Sequence, residues 1–276
     1  MKTVKKVLGG IFLLLLGSIA YLFLTLSDEF KDQDNPVSNS PSKMFDKSAI
    51  VFDAITIYGT NGVTMEKLVH AAHVAAQWLD NDENGQVDDK TLRQTLEDNK
   101  ATVVMSKDGF SGAGMAKVMA SFSGYALQDL YAEETNNPTR RDASQEEIHH
   151  IVLNAGWQKM LPAIFSEHKS DNSKLYRIWK YANDNGYYSY DDPTCNDGCK
   201  TTEFFYLATA AYLDSQADLF LDEMRLKTVD VLKEHIPEIF EIFESNEYVY
   251  PLHKWPDGQY TFRHNIKYLG ENAPES

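Results

Sequence analysis

Basic residues are scarce in this 276-residue sequence, which has 26 lysines and arginines against 41 aspartates and glutamates. The resulting net charge of −15 would repel nucleic acid, and no basic stripe along the chain offsets it. We therefore predict no nucleic-acid partner. An acidic chain suits cations better, which directs attention to metal-binding patterns.

The sequence also lacks the motifs of several enzyme classes. It contains no serine nucleophile elbow, no glycine loop that would cradle a phosphate and no dinucleotide-binding fingerprint. Only two cysteines occur, Cys195 and Cys199. Outside the cytoplasm such a pair is expected to form a disulfide rather than a thiolate metal site. A bridged pair also argues against a cysteine protease.

The N-terminus has the pattern of a membrane anchor. Lysines at positions 2, 5 and 6 precede the uncharged, mostly apolar run Val7–Leu26, which as a helix would cross a bilayer. Cleavage of a signal peptide near residues 17–20 is the alternative. The positive-inside tendency places the rest of the chain outside the cytoplasm. Residues 27–45 are polar and are predicted to be a linker to an extracytoplasmic domain at 46–276.

Hydrophobic periodicity predicts an α+β domain in which helices outnumber strands and the strands cluster early. The predicted strands are Ser48–Tyr58 and Ala101–Met105. Residues 109–114 read as a glycine-rich turn, and 119–130 are ambiguous between strand and helix. The predicted helices are Met65–Leu79, Thr91–Asn99, Ser144–Ala155, Leu175–Ala182, Thr201–Asp214 and Leu219–Phe243, the last with a break near Pro237. A short hairpin is predicted around residues 256–258.

The residues between the first two helices have the pattern of a calcium-binding loop. Oxygen-bearing side chains stand at loop positions 1, 3, 5 and 9, and Gly85 stands at position 6, where the backbone must turn sharply. Thr91 replaces the bidentate glutamate of position 12, so we expect weak or structural calcium binding in an EF-hand-like element at 64–99. A solvated turn that caps two helices is the alternative. The predicted ligand residues are Asp80, Asp82, Asn84, Gln86 and Asp88.

The stretch SQEEIHHIVLNAGW, residues 144–157, carries a second metal-binding pattern on a predicted helix. Ser144 and Glu147 have the spacing of a capping box. On a helical wheel Glu146 and His150 lie one turn apart, opposite the apolar face. Two such side chains can grip one ion, but a solvated polar face gives the same pattern.

A later predicted helix carries a carboxylate in an apolar setting. In TTEFFYLATAAYLDS, residues 201–215, Glu203 shares its face with apolar and aromatic side chains. This carboxylate is either near the exposed start of the helix or buried. A buried charge must be paired or bound to a cation, and a zinc ion would satisfy it.

Together these motifs resemble the catalytic domain of the anthrax lethal factor-like zinc peptidases. The resemblance consists of EExxH followed by AGW, then TEFFYLATAAYLDS about fifty residues later and the helical segment behind it, and it covers roughly residues 144–243. It implies a mostly helical, zincin-like α+β domain with a small sheet. It also implies that His150 and Glu203 are zinc ligands and that Glu147 is the general base.

In that family a tyrosine upstream of the ligand glutamate steadies the oxyanion. The tyrosines available here are Tyr187, Tyr188 and Tyr190, of which Tyr190 is the one we assign. The sequence departs from the family where Glu146 replaces the first histidine of the motif. A set of Glu146, His150 and Glu203 puts two negative charges on the ion, which would weaken its Lewis acidity and favour a harder metal.

The functional expectation is an extracytoplasmic, membrane-anchored metal-dependent peptidase that acts on a peptide or protein substrate. Zinc would occupy the site on the two helices, and calcium would occupy the loop. The alternative is a non-catalytic calcium-binding or interaction module at the cell surface.

Other polar residues have simpler interpretations. His70 and His73 lie one turn apart in Met65–Leu79, but no third ligand is near them, so we expect helix packing or support of the calcium loop. His149 points away from Glu146 and His150 on the wheel and is expected either to be structural or to support a metal ligand without binding the metal. The acidic run at residues 129–134 either flanks a substrate cleft or is a solvated edge.

Overall fold

The structure is a computed structural model, and it describes residues 40–215 and 222–274. Within these residues five strands form one mixed sheet in the order β4-β3-β2-β1-β5. Strand β1 is antiparallel to both β2 and β5, whereas β2, β3 and β4 are parallel. The strands are β1 Phe45–Val51, β2 Ile55–Thr60, β3 Ala101–Ser106, β4 Leu127–Tyr131 and β5 Ile266–Leu269.

Helices form most of the other regular structure, and the α+β class is therefore confirmed. They are α1 Met65–Leu79, α2 Lys90–Asp98, α3 Gly112–Ser121, α4 Ala143–Val152, α5 Gln158–Met160, α6 Pro162–Phe165, α7 Lys174–Asp184, α8 Asp197–Tyr212, α9 Val229–His235 and α10 Phe240–Phe243. A π-helical turn, Leu153–Trp157, continues α4, and 3-10 turns lie at Lys169–Asp171, Pro237–Ile239 and Arg263–Asn265. The ambiguous segment 119–130 divides between the end of α3 and the start of β4.

The predicted anchor, Val7–Leu26, and most of the predicted linker lie outside the described residues. Among the residues that are described, none of the helices combines the length and apolar character needed to span a bilayer. Strand β1 begins at Phe45, the last residue of the predicted linker, and Phe45 is fully buried.

Helices cover both faces of the sheet. α1 and α4 pack against one face and enclose the main core, while α8 packs against α4. α3 lies over the other face, where Val118 joins a smaller aromatic cluster with Phe45 and Tyr58. β3 is buried along its whole length, as expected for a central parallel strand with helices on both sides.

The predicted single strand Ser48–Tyr58 is wrong, because the segment forms two antiparallel strands. Residues 52–54 make the turn between β1 and β2, and Phe52 and Asp53 have positive φ values of 50° and 54°. A tight hairpin turn of this handedness normally uses glycine, asparagine or aspartate. Asp53 fits this preference, but Phe52 does not, and no glycine follows, so the apolar, β-branched run gave little sign of the reversal.

Two predictions for the C-terminal part are also wrong. The helix predicted at Leu219–Phe243 begins only at Val229, because Thr228 caps α9 and residues 222–228 are not helical; residues 219–221 lie outside the described range. The hairpin predicted around residues 256–258 is an irregular segment packed on α1. Gly258 has φ +75° there, and a Cβ added to it would lie 2.2 Å from His70 Cε1.

Candidate metal centre

The helix that carries Glu146 and His150 is capped two residues earlier than the sequence pattern predicts. Asp142 is the N-cap of α4, and its carboxylate accepts hydrogen bonds from Ser144 N at 3.1 Å and from Ser144 Oγ at 2.7 Å. Ser144 is therefore a buried residue within the first turn and not the cap. Asp142 Oδ2 also lies 2.6 Å from His70 Nε2, which joins α4 to α1.

α4 is buried on both of its faces. Ile148 and Val152 lie in the core, as the wheel predicts, but Glu146 and His150 on the opposite face are also only 6% exposed. A solvated polar face is thus excluded for this helix, because α8 packs against it. Buried ionisable side chains require a charged partner or a bound cation, so the groups around Glu146 and His150 must supply one.

The π-helical turn after α4 explains the small residues that follow the EExxH motif. Gly156 lies against α2, and a Cβ added to it would lie 2.4 Å from Leu92 Cδ1. Trp157, the next residue, is fully buried. The glycine allows α2 to approach closely, and the wider π-helical turn carries the tryptophan into the core.

Glu203 comes from α8, whose start is held by a cap and a disulfide. The side chain of Asn196 accepts hydrogen bonds from Gly198 N at 2.9 Å and Cys199 N at 3.1 Å. The predicted disulfide between Cys195 and Cys199 is present and encloses this cap, with a Cα–Cα distance of 5.3 Å. Glu203 lies about two turns further along and is only 8% exposed, so it is a buried carboxylate.

The three side chains predicted to bind metal meet at one place. Glu146, His150 and Glu203 each offer one ligand atom, and these atoms lie within 4.8 Å of one another. His150 Nε2 is 3.5 Å from Glu203 Oε2, without hydrogen-bond geometry, and this buried nitrogen has no hydrogen-bond partner among the described residues. Imidazole and carboxylate donors suit zinc and other divalent metals. The group, called the helix cluster below, could hold a metal ion.

Arg141 is a member of this site that the sequence analysis missed. Its Nη2 lies 2.5 Å from Glu146 Oε2, and its Nη1 lies 3.7 Å from Glu223 Oε2. The guanidinium is 5.9 Å from the centre of the Tyr206 ring, and its side chain is 19% exposed. Arg141 precedes α4 in an irregular segment, so no periodic pattern connects it with Glu146.

The enclosed charges shift the pKa values of the helix cluster in opposite directions. Burial raises the pKa of Glu146 well above its ordinary value, and the charge of Glu203 adds to this effect. Burial also favours a higher pKa for Glu203, but the charge of His150 outweighs it and the pKa is lowered. Burial lowers the pKa of His150, but Glu203 and Glu147 outweigh that, and the pKa ends well above its ordinary value. A divalent cation would replace a proton as the neutralising charge.

Glu147, the predicted base, lies beside the helix cluster in a more accessible position. Its Oε2 is 3.4 Å from His150 Nδ1 and accepts a 2.5 Å hydrogen bond from Gln128 Nε2 on β4. Its side chain is 26% exposed, against 7% for that of His150. Burial raises the pKa of Asp129, and the nearby charge of Glu147 raises it further. The acidic run at 129–134 therefore begins close to Glu147. Gln128 was also missed, because a glutamine in a strand carries no distinctive signal.

Of the three candidate tyrosines, Tyr190 is placed best for chemistry. It is partly exposed, and burial together with the charges of Glu203 and Glu146 raises its pKa, so its hydroxyl keeps its proton. Tyr188 is fully buried, and its hydroxyl has no hydrogen-bond partner in the described part of the chain. The ring of Tyr187 packs on His235, with ring centroids 5.0 Å apart.

The predicted calcium loop connects α1 to α2. Gly85 has φ +86°, and Asp80, Asp82 and Asp88 each offer an oxygen within 4.8 Å of the others. Asp80 is fully buried, whereas Asp82 is exposed. These three carboxylates, called the loop cluster below, could hold a metal ion.

The loop is organised by hydrogen bonds to its own backbone and to the C-terminal segment. Asp80 accepts hydrogen bonds from Asn84 N at 2.9 Å, Gly85 N at 2.8 Å and Tyr260 Oη at 2.5 Å. Asn84 Nδ2 donates to Asp82 Oδ2, and Gln86 N donates to Asn84 Oδ1. The hydrogen bond from Tyr260 is a long-range tertiary contact, so the sequence of the loop could not predict it.

The remaining predicted features of this region are settled by their contacts. Asp89 caps α2 by accepting hydrogen bonds from Thr91 N and Leu92 N, so Thr91 lies in the first turn of that helix.

The histidines outside the helix cluster also have contacts in the structure. His73 Nδ1 lies 3.0 Å from Gly258 O. His149 is fully buried, with Nε2 2.9 Å from Tyr250 Oη. All three histidines thus make contacts within the fold, since His70 pairs with Asp142.

Comparison with known proteins assigns no family. No family model matches the chain, and no match was found among curated proteins or solved structures. The resemblance to lethal factor-like peptidases therefore stays a prediction based on the motifs.

Proposed function

We propose that the protein is a metal-dependent peptidase in which Glu146, His150 and Glu203 hold a divalent metal and Glu147 is the general base. The observation that carries this proposal is the convergence of three buried donors from two separate helices within 4.8 Å, beside a more exposed carboxylate. His150 Nε2 fits a metal, because this buried nitrogen lies 3.5 Å from Glu203 Oε2 but makes no hydrogen bond within the described residues, which is costly unless something binds it.

The roles of the individual residues follow from their exposure and contacts. When bound, a divalent metal supplies Lewis acidity toward water and toward a peptide carbonyl. Glu147 is accessible and is held by Gln128, so it can take a proton from the attacking water and return it to the leaving amine. Tyr190 keeps its proton and can donate a hydrogen bond to the oxyanion.

A non-catalytic calcium-binding module is the second candidate, and one observation favours it. The Arg141–Glu146 ion pair and the His150–Glu203 contact neutralise buried charges without a metal. The loop cluster would then be the functional cation site. Location outside the cytoplasm, which we propose from the N-terminal sequence, suits both candidates.

The substitution Glu147→Gln in the full chain tests the catalytic role. We expect hydrolysis of unstructured peptides to fall by about 10²–10⁴-fold, because general-base catalysis contributes on that order. Bound transition metal, measured by elemental analysis, should be unchanged. Glu133→Gln is the matched control, since Glu133 is exposed and lies 3.6 Å from Lys107 Nζ.

One result tests the role of Glu147, and the other distinguishes the peptidase from the calcium-binding module. Full activity in Glu147→Gln would remove Glu147 from the role of base. A wild-type protein that binds calcium but no transition metal, and that cleaves no peptide, would reject the peptidase in favour of the calcium-binding module.

A further inference from the structure

We infer that Arg141 is a positioning residue that cancels the extra negative charge of Glu146. The helix cluster would then present a divalent cation with the same net charge as a set of two histidines and one glutamate. This inference deepens the proposed function and rests on it. It also explains how Glu146 can occupy the position at which the peptidases that the chain resembles have a histidine.

The contact between Arg141 and Glu146 is direct and enclosed. Arg141 Nη2 lies 2.5 Å from Glu146 Oε2, and the side chain of Glu146 is 7% exposed. A carboxylate has two oxygens, so one can pair with a guanidinium while the other binds a metal. Glu223 is more distant, at 3.7 Å from Nη1, which has no hydrogen-bond partner among the described residues. The guanidinium is therefore held chiefly by Glu146.

The net charge is counted over the three ligand residues and Arg141, without Glu147, which the peptidases that the chain resembles also carry, and without the more distant Glu223. Glu146 and Glu203, ionised as they must be to bind a metal, contribute two negative charges. Arg141 contributes a positive charge that it does not lose at any relevant pH. With the imidazole of His150 neutral, as it must be to bind metal, the sum is −1. Two neutral histidines and one glutamate also sum to −1. Because these groups are enclosed, a unit charge at this distance strongly affects the affinity for a cation.

The second observation that points to a ligand is His150 itself. Its Nε2 is buried, has no hydrogen-bond partner in the described residues and lies 3.5 Å from Glu203 Oε2. An ion-pair network that only stabilised the fold would be expected to satisfy this nitrogen. The nitrogen and one oxygen of each carboxylate instead lie within 4.8 Å of one another. Arg141 adds a positive charge beside them but no atom that could bind a metal.

A set of charge variants of the full chain tests the inference with zinc alone as the probe. Zinc affinity is measured by competition with a chromophoric chelator, in calcium sufficient to saturate the loop cluster. Arg141→Gln makes the sum −2 and should tighten zinc binding by about tenfold or more, whereas Glu146→His makes it 0 and should weaken binding by a similar factor. The double variant restores −1 and should bind within about threefold of wild type.

Two further variants separate charge from shape and from loss of folding. Arg141→Lys keeps the charge and should also stay within about threefold of the wild-type zinc affinity. If Arg141→Gln leaves Glu146 unpaired and does not fold, the comparison moves to the Glu146→Gln background, where no unpaired carboxylate remains. There too, removal of Arg141 should tighten zinc binding by about tenfold.

The outcomes distinguish the inference from the proposed function. Equal zinc affinities across the set, or weaker binding in a folded Arg141→Gln variant, would overturn the role of Arg141 and leave the metal site standing. No zinc binding by the wild type would overturn both. Cobalt substitution gives a spectroscopic check, because the visible absorption of bound cobalt reports whether the ligand set is unchanged in Arg141→Gln.

Discussion

The helix cluster and the loop cluster are both acidic groups that could hold a cation, but they are built in different ways. The loop cluster lies within nine residues of sequence, from Asp80 to Asp88, and includes the exposed Asp82. The helix cluster combines α4 with α8, and its three members are no more than 8% exposed. The first is a local motif, while the second exists only after two helices have packed together.

This difference changes what holds each cluster together. In the loop, backbone N–H groups donate hydrogen bonds to the carboxylates, as Asn84 N and Gly85 N do to Asp80. In the helix cluster, charged side chains pair with the carboxylates instead, with Arg141 beside Glu146 and His150 beside Glu203. The loop should therefore tolerate loss of one ligand better than the helix cluster, where every charge is enclosed.

The largest effect is expected when each cluster loses one carboxylate. Glu203→Gln should lower zinc affinity by about 100-fold or more, because even the loss of a residue that only orients a ligand costs about 10- to 100-fold at such sites. Asp88→Asn should leave zinc affinity unchanged and weaken calcium binding instead. The measurement is a pair of titrations, with zinc followed by chelator competition and calcium followed by calorimetry.

Each substitution serves as the control for the other, since both replace a carboxylate by the amide of the same shape. If Glu203→Gln and Asp88→Asn lowered zinc affinity equally, the two clusters would not be separate sites. If calcium affinity fell in Glu203→Gln alone, the assignment of calcium to the loop would be wrong.

A second, smaller effect separates structure from binding within the loop. Asp80→Ala removes the acceptor of three hydrogen bonds, from Asn84 N, Gly85 N and Tyr260 Oη, at a fully buried position. We expect the free energy of unfolding to fall by about 3 kcal/mol even without calcium, since each lost bond costs about 1 kcal/mol. Chemical denaturation in excess calcium chelator measures it.

Asp82→Ala is the matched variant, because Asp82 belongs to the same cluster but is exposed. Its expected cost without calcium is smaller, about 1 kcal/mol, because the two hydrogen bonds that Asp82 accepts from Asn84 N and Asn84 Nδ2 are exposed to water. Equal losses of stability in the two variants would contradict the view that Asp80 is part of the fold as well as a ligand.

The same contrast explains how much of the molecule could be predicted from its sequence. Elements with strong local signals were correct, including α1, the loop turn at Gly85 and the disulfide between Cys195 and Cys199. The hairpin turn at Phe52–Asp53 was missed, because the bulky Phe52 adopts positive φ and a single aspartate within an apolar run is a weak turn signal. Strand β5 was missed because its pairing with β1 joins opposite ends of the domain.

For the helix cluster, the sequence indicated the candidate ligand side chains but not their surroundings. Glu146 and His150 were recognisable by helical spacing, and Glu203 by its apolar neighbours. Arg141 and Gln128 lie outside any periodic pattern, and only tertiary packing brings them to Glu146 and Glu147. Burial of the Glu146 face could not be decided either, because a wheel shows which residues share a face but not what covers it.

The smallest expected effect concerns the contact that joins the two regions. α1, which ends at the loop, reaches the cap of α4 through His70 Nε2 and Asp142 Oδ2, 2.6 Å apart. Burial favours a higher pKa for Asp142, but the hydrogen bonds from His70 and from Asn136 N outweigh it, so the pKa is lowered. Because the folded pKa is below the unfolded value of about 3.9, the stabilisation is complete above that pH and is lost as the pH falls through the folded pKa.

Asparagine caps a helix about as well as aspartate, so Asp142→Asn should remove only the charge that strengthens the hydrogen bonds with His70 and Asn136 N. We expect the free energy of unfolding to fall by about 1 kcal/mol at pH 7. The difference from wild type should shrink as the pH is lowered below about 4, because protonation then removes the same charge from the wild-type protein. Denaturation curves at a series of pH values measure this, with the exposed Asp108→Asn as control. A constant difference at every pH would mean that the loss comes from the altered hydrogen bonding of the amide and not from the carboxylate charge. The two regions would then be joined by packing and not by an ion pair.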